Sequence, residues 1–347
     1  MINEIIDSPF SNGRASLQRK LSKFPFRKDE FEIAEHFYLC DDTKEEFTTS
    51  DLDRVNLNQV YNQYRKKYGL PFPDQIKNIR QKYGVSASKM SEILGLGTNS
   101  YRLYEQGEMP SIGNGRLIMT AENPYEFRKS LSLSREIIGA KDFEKLDREC
   151  EKIIEEEQIN EVFKYQVKSL FNRLVPDEFT GYRQPSIERI SHMIVFFSSD
   201  SQTWTTKLNK LLFYCDFLAF KNSGFGISGL DYRAIKFGPV PAKYETLYSS
   251  LGEGELLTRK FEESGGYEGS YFVPRLTFNE LLFDQFELEI MRKVSGQFKF
   301  HNVKEMIDIS HTEQGWIDNF KDKNLISYKD YGFALRPIQN SEIIELI

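Results

Sequence analysis

The chain has 347 residues, and 46 Lys+Arg against 52 Asp+Glu leave a net charge of −6. That length predicts two or three domains at roughly 100–200 residues each. The 28 Phe and 18 Tyr exclude disorder over most of the chain, because disordered segments are poor in aromatics. The longest apolar stretches, Met193–Phe197 and Leu211–Cys215, stop at Ser198 and Asp216, far short of the roughly 20 residues of a membrane span. The opening Met1-Ile-Asn-Glu-Ile-Ile-Asp7 lacks the basic region of a signal peptide. Three scattered cysteines and four histidines supply neither a disulfide framework nor a zinc site of the usual ligand set. The expectation is a soluble, cytoplasmic, mainly α (α+β) protein with no membrane contact and no cofactor.

Residues 1–56 carry Ser8-Pro9, Asn12-Gly13 and Phe24-Pro25-Phe26 without a helical period, which predicts a small β-rich module. Ser8-Pro-Phe-Ser-Asn-Gly13, Phe26-Arg-Lys28 and Tyr38-Leu-Cys-Asp-Asp-Thr-Lys-Glu-Glu-Phe-Thr48 resemble the zinc-ribbon half of MqsA-type antitoxins. Asn58-Gln-Val-Tyr-Asn62 resembles the join to that family's second half. The family holds zinc through two CxxC pairs. Here the first knuckle has no cysteine and the second keeps Cys40 alone, so no metal is expected. The ribbon is expected to be held by Phe10, Leu17, Phe26, Phe31, Phe37, Tyr38 and Phe47, with Cys40 a buried bystander.

From Asn56 to Arg116 nine basic residues face four acids, so this segment is +5 and the remainder −11. A basic module on an acidic protein suits a nucleic-acid reader joined to a separate partner-binding part. Asp74–Gly84 places Ile76, Ile79 and Tyr83 on one helical face and ends on glycine. Ser86 can cap a second helix with Met90, Ile93 and Leu94 inside. Gly95-Leu96-Gly97 turns the chain into a third helix, Thr98–Gln106, which buries Tyr101 and Tyr104. The spacing and the ending Tyr104-Glu-Gln-Gly-Glu-Met-Pro110 resemble the Xre/Cro-type helix-turn-helix over roughly residues 70–120, within an expected DNA-binding domain of 57–122. That resemblance implies that Thr98, Asn99 and Arg102 read base edges in the major groove. It also makes Lys89, Asn114 and Arg116 phosphate contacts, and it implies a homodimer on two half-sites of operator DNA. Residues 123–185, with the acidic run Glu155-Glu156-Glu157, read as an exposed helical connector ending in a linker at Val175–Ser186.

In 186–347, Ile187, Ile190, Ile194 and Phe197, then Leu208, Leu211, Leu212, Cys215 and Leu218, recur at helical spacing, which predicts two amphipathic helices. Lys207–Tyr214, Asp216, Gly226–Ala234, Phe237-Gly-Pro-Val-Pro241, Tyr244, Ser310-His-Thr-Glu313 and Trp316 resemble the Panacea (SocA-like) domain. That resemblance implies an antitoxin that neutralises a cognate toxin protein by direct binding. Asp231, Tyr232, Lys236, Phe237 and Tyr244 lie near turns, where binding surface concentrates, and are the candidate toxin contacts. Cys215 sits on an apolar helix face, His192 and His311 have no evident nucleophile beside them, and no P-loop, G-x-S-x-G, H-E-x-x-H or dinucleotide fingerprint occurs. No catalytic residue is therefore expected. The expected function is a type II antitoxin that also represses its own operon. The alternatives are an adaptor presenting a toxin to a protease, or a transcription regulator whose carboxy-terminal half senses a ligand.

Overall fold

A computed structural model describes residues 1–159, 168–199, 202–252, 256–264 and 267–336. The fold is mainly helical, α+β, and divides into two units, Glu4–Gln166 and Met1–Asn3 with Val167–Ile347.

The amino-terminal unit opens with an antiparallel sheet in chain order, β1 (Ile5–Asp7), β2 (Arg14–Phe26), β3 (Asp29–Cys40) and β4 (Glu46–Phe47). Phe24, Phe26, Phe31 and Ile33 pack on Val60, Tyr61 and Tyr64 of α1 (Ser50–Tyr68). The outer edge of β3 would leave backbone groups unpaired, and amide side chains of α1 fill it. Asn56 Oδ1 accepts the His36 N–H at 2.8 Å and its Nδ2 donates to the His36 carbonyl at 2.9 Å. Gln59 makes the same pair with Ala34, at 3.0 and 2.9 Å, and Gln63 Nε2 donates to the Glu32 carbonyl at 2.9 Å. The ladder fits because three or four helical residues advance about 5–6 Å and two strand residues about 6.6 Å. The expected junction between residues 56 and 57 therefore falls inside one helix. Leu52 and Val55 are already buried there, and Thr49 caps the start.

The helices α2 (Pro73–Lys82), α3 (Ala87–Ile93), α4 (Ser100–Glu105), α5 (Ile112–Thr120), α6 (Pro124–Leu133), α7 (Arg135–Ile138) and α8 (Ala140–Ile159) follow. They share one core that includes Ile76, Ile79, Met90, Ile93, Tyr101, Ile118, Phe127, Leu131, Leu146 and Cys150. Tyr83 stacks on Phe127 with centroids 3.7 Å apart, and Ser134 Oγ donates to the Ile93 carbonyl at 2.7 Å. The stretch after residue 122 is thus packed structure rather than exposed connector. Its sparse apolar positions form a buried stripe hidden within a charged sequence.

In the carboxy-terminal unit α9 (Ile187–Ser198) and α10 (Thr205–Ser223) are joined by a three-stranded sheet. Its order is β6 (Gly238–Pro241), β5 (Tyr232–Ile235), β9 (Leu325–Ile326). A separate hairpin pairs β7 (Leu257–Ser264) with β8 (Tyr267–Pro274). Helices α11 (Tyr244–Gly252), α12 (Gln285–Phe298), α13 (Val303–Ser310), α14 (Gln314–Asn319) and α15 (Tyr328–Tyr331) complete it. α10 is buried over most of its surface, with Leu208, Leu212 and Cys215 at 0% exposure. The expected linker is bound into this unit. Thr180 and Tyr182 are buried, Glu178 accepts the Tyr328 N–H at 2.8 Å, and Arg183 Nε donates to the Gly226 carbonyl at 3.1 Å. No described helix is long and apolar enough to cross a membrane.

Asn56→Leu would strip both partners from buried His36 backbone groups, a loss of about 2–4 kcal/mol. Hydrogen exchange should show the amide of His36 losing protection, while amides of α10 keep theirs.

Candidate functional site

The buried carboxylate of Asp216, mid-way along α10, accepts four hydrogen bonds. Donors are the N–H of Ile227 at 2.7 Å, the N–H of Ser228 at 2.8 Å, the Ser228 hydroxyl, and the Tyr232 hydroxyl at 2.7 Å. Burial raises its pKa above the usual carboxylate range, against the lowering effect of those donors. The bonds wrap the 226–232 segment around α10 and deliver the chain into β5. β5 and β6 then pair with Ile235 opposite Gly238, so Lys236 and Phe237 form a two-residue turn.

Beneath that turn lies Lys210, fully buried, its Nζ donating to the Pro239 carbonyl at 3.1 Å. No carboxylate pairs with it among the described residues, and burial pulls the amine down to about 7. Gly238 has φ +91°, and a Cβ there would stand 2.3 Å from Ser310 Oγ and 2.6 Å from Lys210 Cε. Glycine is required on both counts. His311 stacks on Trp316 at 3.8 Å and Trp316 on Phe320 at 4.5 Å. Trp316 Nε1 donates to the Ile235 carbonyl at 2.9 Å, tying this aromatic stack to the turn. Burial first, and the charge of Lys210 second, hold the His311 pKa below its ordinary value. Its Nε2 has no partner among the described residues.

Residues 208–317 match the family model for the antitoxin SocA-like Panacea domain. This ties the segment from Leu208 through Ile317 to toxin–antitoxin biology, and it contains Asp216, Lys210, Gly238 and the His311–Trp316 stack. No curated protein and no solved structure matches the chain.

Of the candidate toxin contacts, the turn residues are the accessible ones. Lys236 is exposed and Phe237 is 53% exposed. Tyr244 is half-buried, edge-on to Tyr248. Asp231 and Tyr232 are not surface contacts. They are 5% and 0% exposed, one held by the Asn172 amide at 2.8 Å, the other by Asp216. Position near a turn did not reveal that β5 is the central strand of its sheet. The sequence reading did not single out Ile317 and Phe320, which are 47% and 36% exposed beside Trp316. Their spacing on a short polar helix was the available signal.

In the amino-terminal unit, Thr98, Asn99, Arg102 and Arg116 are exposed. Thr98 and Asn99 precede α4, which starts at Ser100 rather than Thr98, so these two stand on the turn at its amino end. Lys89 is half-buried and paired with Glu92 at 3.0 Å and Asp142 at 3.1 Å, and the Asn114 amide donates to the Tyr104 hydroxyl at 3.0 Å. Neither is a free group: Asp142 of α8 reaches Lys89 from outside the motif, and Tyr104 takes up the Asn114 amide within it.

Cys40 is buried but not without partners. Ser8 Oγ donates to its sulfur at 3.0 Å and the Thr43 N–H at 3.4 Å, and these bonds bring the thiol down to about 6. Among the described residues no group of three or more His, Cys, Asp or Glu could hold a metal ion. Phe47 packs on Phe10 and Tyr38 as the aromatic content of this ribbon suggested, although Phe10 stays 45% exposed.

Lys210 gives a signed pH prediction. Its amine titrates near 7 in the fold and at 10.5 when unburied, so the unfolded chain binds more protons between those values. The cost of burying the charge is full below about pH 7 and fades as pH rises towards 10.5. Lys210→Met should therefore raise the melting temperature at about pH 6, with the gain shrinking by about pH 9.5 in paired thermal melts.

Proposed function

We propose that this chain is the antitoxin of a toxin–antitoxin pair, acting by occupation of its toxin rather than by catalysis. The carboxy-terminal unit binds the cognate toxin protein through the Lys236–Phe237 turn and the adjoining face of α14. The amino-terminal unit binds operator DNA as a homodimer in the cytoplasm and represses the operon. The carrying observation is the Panacea match over residues 208–317, within which exposed Phe237 stands on a turn that Trp316 braces. Exposed aromatic anchors on rigid backbone are the side chains that dominate protein interfaces. Two of the braces are buried, Asp216 and Lys210, and the third, Trp316, is half-buried.

Support for the DNA role is the +5 segment and the outward Thr98, Asn99 and Arg102 at one end of α4. An arginine there can take guanine O6 and N7 together, and an asparagine adenine N6 and N7. Arg116 on α5 would contact phosphate, which positions the protein without reading sequence.

Co-expression with the product of the neighbouring gene tests the toxin role. The full chain should restore growth, and Phe237→Glu, at a position that tolerates charge in the free protein, should not. Rescue by disappearance of the toxin rather than by a stable complex would favour the adaptor reading. For DNA, Arg102→Ala should cost about tenfold or more on the operator and little on random duplex. Arg116→Ala should weaken both about equally in anisotropy titrations, and equal losses for both variants on both duplexes would overturn the assignment.

A further inference from the structure

A cleft of about 600 Å³ opens in the amino-terminal unit between the β2–β3 turn, α1 and the connection from α4 to α5. Its apolar lining comes from Phe26, Leu57, Tyr61 and Met109, and its cations are Arg27 and Arg54. Asn58 and Gln106 add two side-chain amides. Leu57 is 45% exposed on an otherwise polar helix face, an apolar residue with nothing packed over it.

Two further observations point to an anion here. Arg27 sits at φ +57° in the hairpin turn, a left-handed position that ordinarily selects Gly, Asn or Asp. Its guanidinium is fixed beside the cleft by the Tyr64 hydroxyl at 3.0 Å and the Pro110 carbonyl at 3.2 Å. Strain at a charged residue that lines a cleft is a mark of function. Behind the wall lies Arg65, at 0% exposure. Its Nη2 donates to the carbonyls of Gly107 and Glu108, at 2.7 and 3.4 Å, and both residues line the cleft. Its Nε and Nη1 have no hydrogen-bond partner among the described residues. Asp74 acts on this charge only through space, and burial lowers its pKa to about 10, so it stays protonated at neutral pH. A cation held in low dielectric beneath Tyr61 projects its field into the opening. Against it stand Glu108 on the rim and Asp51, paired to Arg54 at 2.8 Å. That pair is exposed, and such pairs are weak enough for a phosphate to displace.

We propose that this cleft binds a nucleotide, its base over Tyr61 and Leu57 and its phosphate between Arg27 and Arg54. Bases stack on aromatic faces whatever their sequence, and guanidinium forks match phosphate oxygens. The Gln106 amide offers the donor–acceptor pair that a base edge carries and a simple aromatic acid does not. The volume lies in the range of about 300–1,000 Å³ usual for small-ligand sites. The nucleotide can be free or part of a single strand. The inference does not depend on operator recognition.

The test titrates the full-length chain with adenosine and guanosine monophosphate by calorimetry, and with fluorescein-labelled oligothymidylate by anisotropy. At least one probe should saturate, with affinity reduced about tenfold by Arg54→Ala and lost in Leu57→Glu. Arg102→Ala should leave that binding unchanged while it alters operator preference, so the two readings fail separately. Saturation by a mononucleotide identifies a free ligand, and saturation by the oligonucleotide alone identifies a strand. The proposal is overturned if none of the three probes saturates by about 1 mM, or if Arg54→Ala or Leu57→Glu, with an unfolding curve like the wild type, binds as it does.

Discussion

The carboxy-terminal unit depends on one buried carboxylate. Asp216 has no exposure and, among the described residues, no cation paired with it, so its burial is tolerable because four donors converge on it. Those donors come from a loop and a strand that curl around α10. Remove the carboxylate and two backbone N–H groups and two hydroxyls lose their acceptor together. The glycine-rich stretch Gly226–Asp231 is thereby a mould around one side chain rather than a flexible loop. The position of β5, and through it the Lys236–Phe237 turn, is set at the far end of that mould. A surface turn becomes rigid because a polar interior holds its root.

The amino-terminal unit answers a similar problem with neutral groups. β3 offers backbone donors and acceptors on its outer side, and the amides of Asn56, Gln59 and Gln63 act as a strand made of side chains. Sheet and helix are thus locked in register by hydrogen bonds as well as by the packing of Phe31 and Ile33 on Val60 and Tyr64. The same lock places Arg27 over Tyr64 and sets one wall of the cleft.

Buried charge is used sparingly and in opposite senses. Asp216 is surrounded by donors, whereas Lys210 has one carbonyl and Arg65 two. The two cations therefore carry an uncompensated cost, and each lies directly under a surface argued to bind something. Lys210 underlies the turn offered to a toxin, and Arg65 underlies the cleft offered to a nucleotide. Poorly satisfied buried charge is costly to stability, so its placement beneath surfaces rather than in deep core is a physical pointer to function.

The helical stripes, the glycine stops and the aromatic interior were legible from the sequence, because periodicity and turn chemistry are local. Ile76, Ile79, Met90, Ile93 and Tyr101 are buried as their spacing required, as are Leu208, Leu212 and Cys215. Exposure was not legible wherever it depends on elements distant in the chain. Asp231 and Tyr232 read as surface but are covered: Asn172, 59 residues earlier, holds Asp231, and Tyr232 meets Asp216 and pairs with Ile326 of β9. Lys89 read as free but meets Asp142 on α8. The stretch after residue 122 read as connector, because its few apolar residues acquire meaning only against Tyr83 and Ile93. Local pattern thus determined most of the helices and turns, though not that α1 begins at Ser50 inside the segment read as ribbon. Only the tertiary structure decided which polar groups stay in water, since desolvation is imposed by neighbours that the local sequence does not contain.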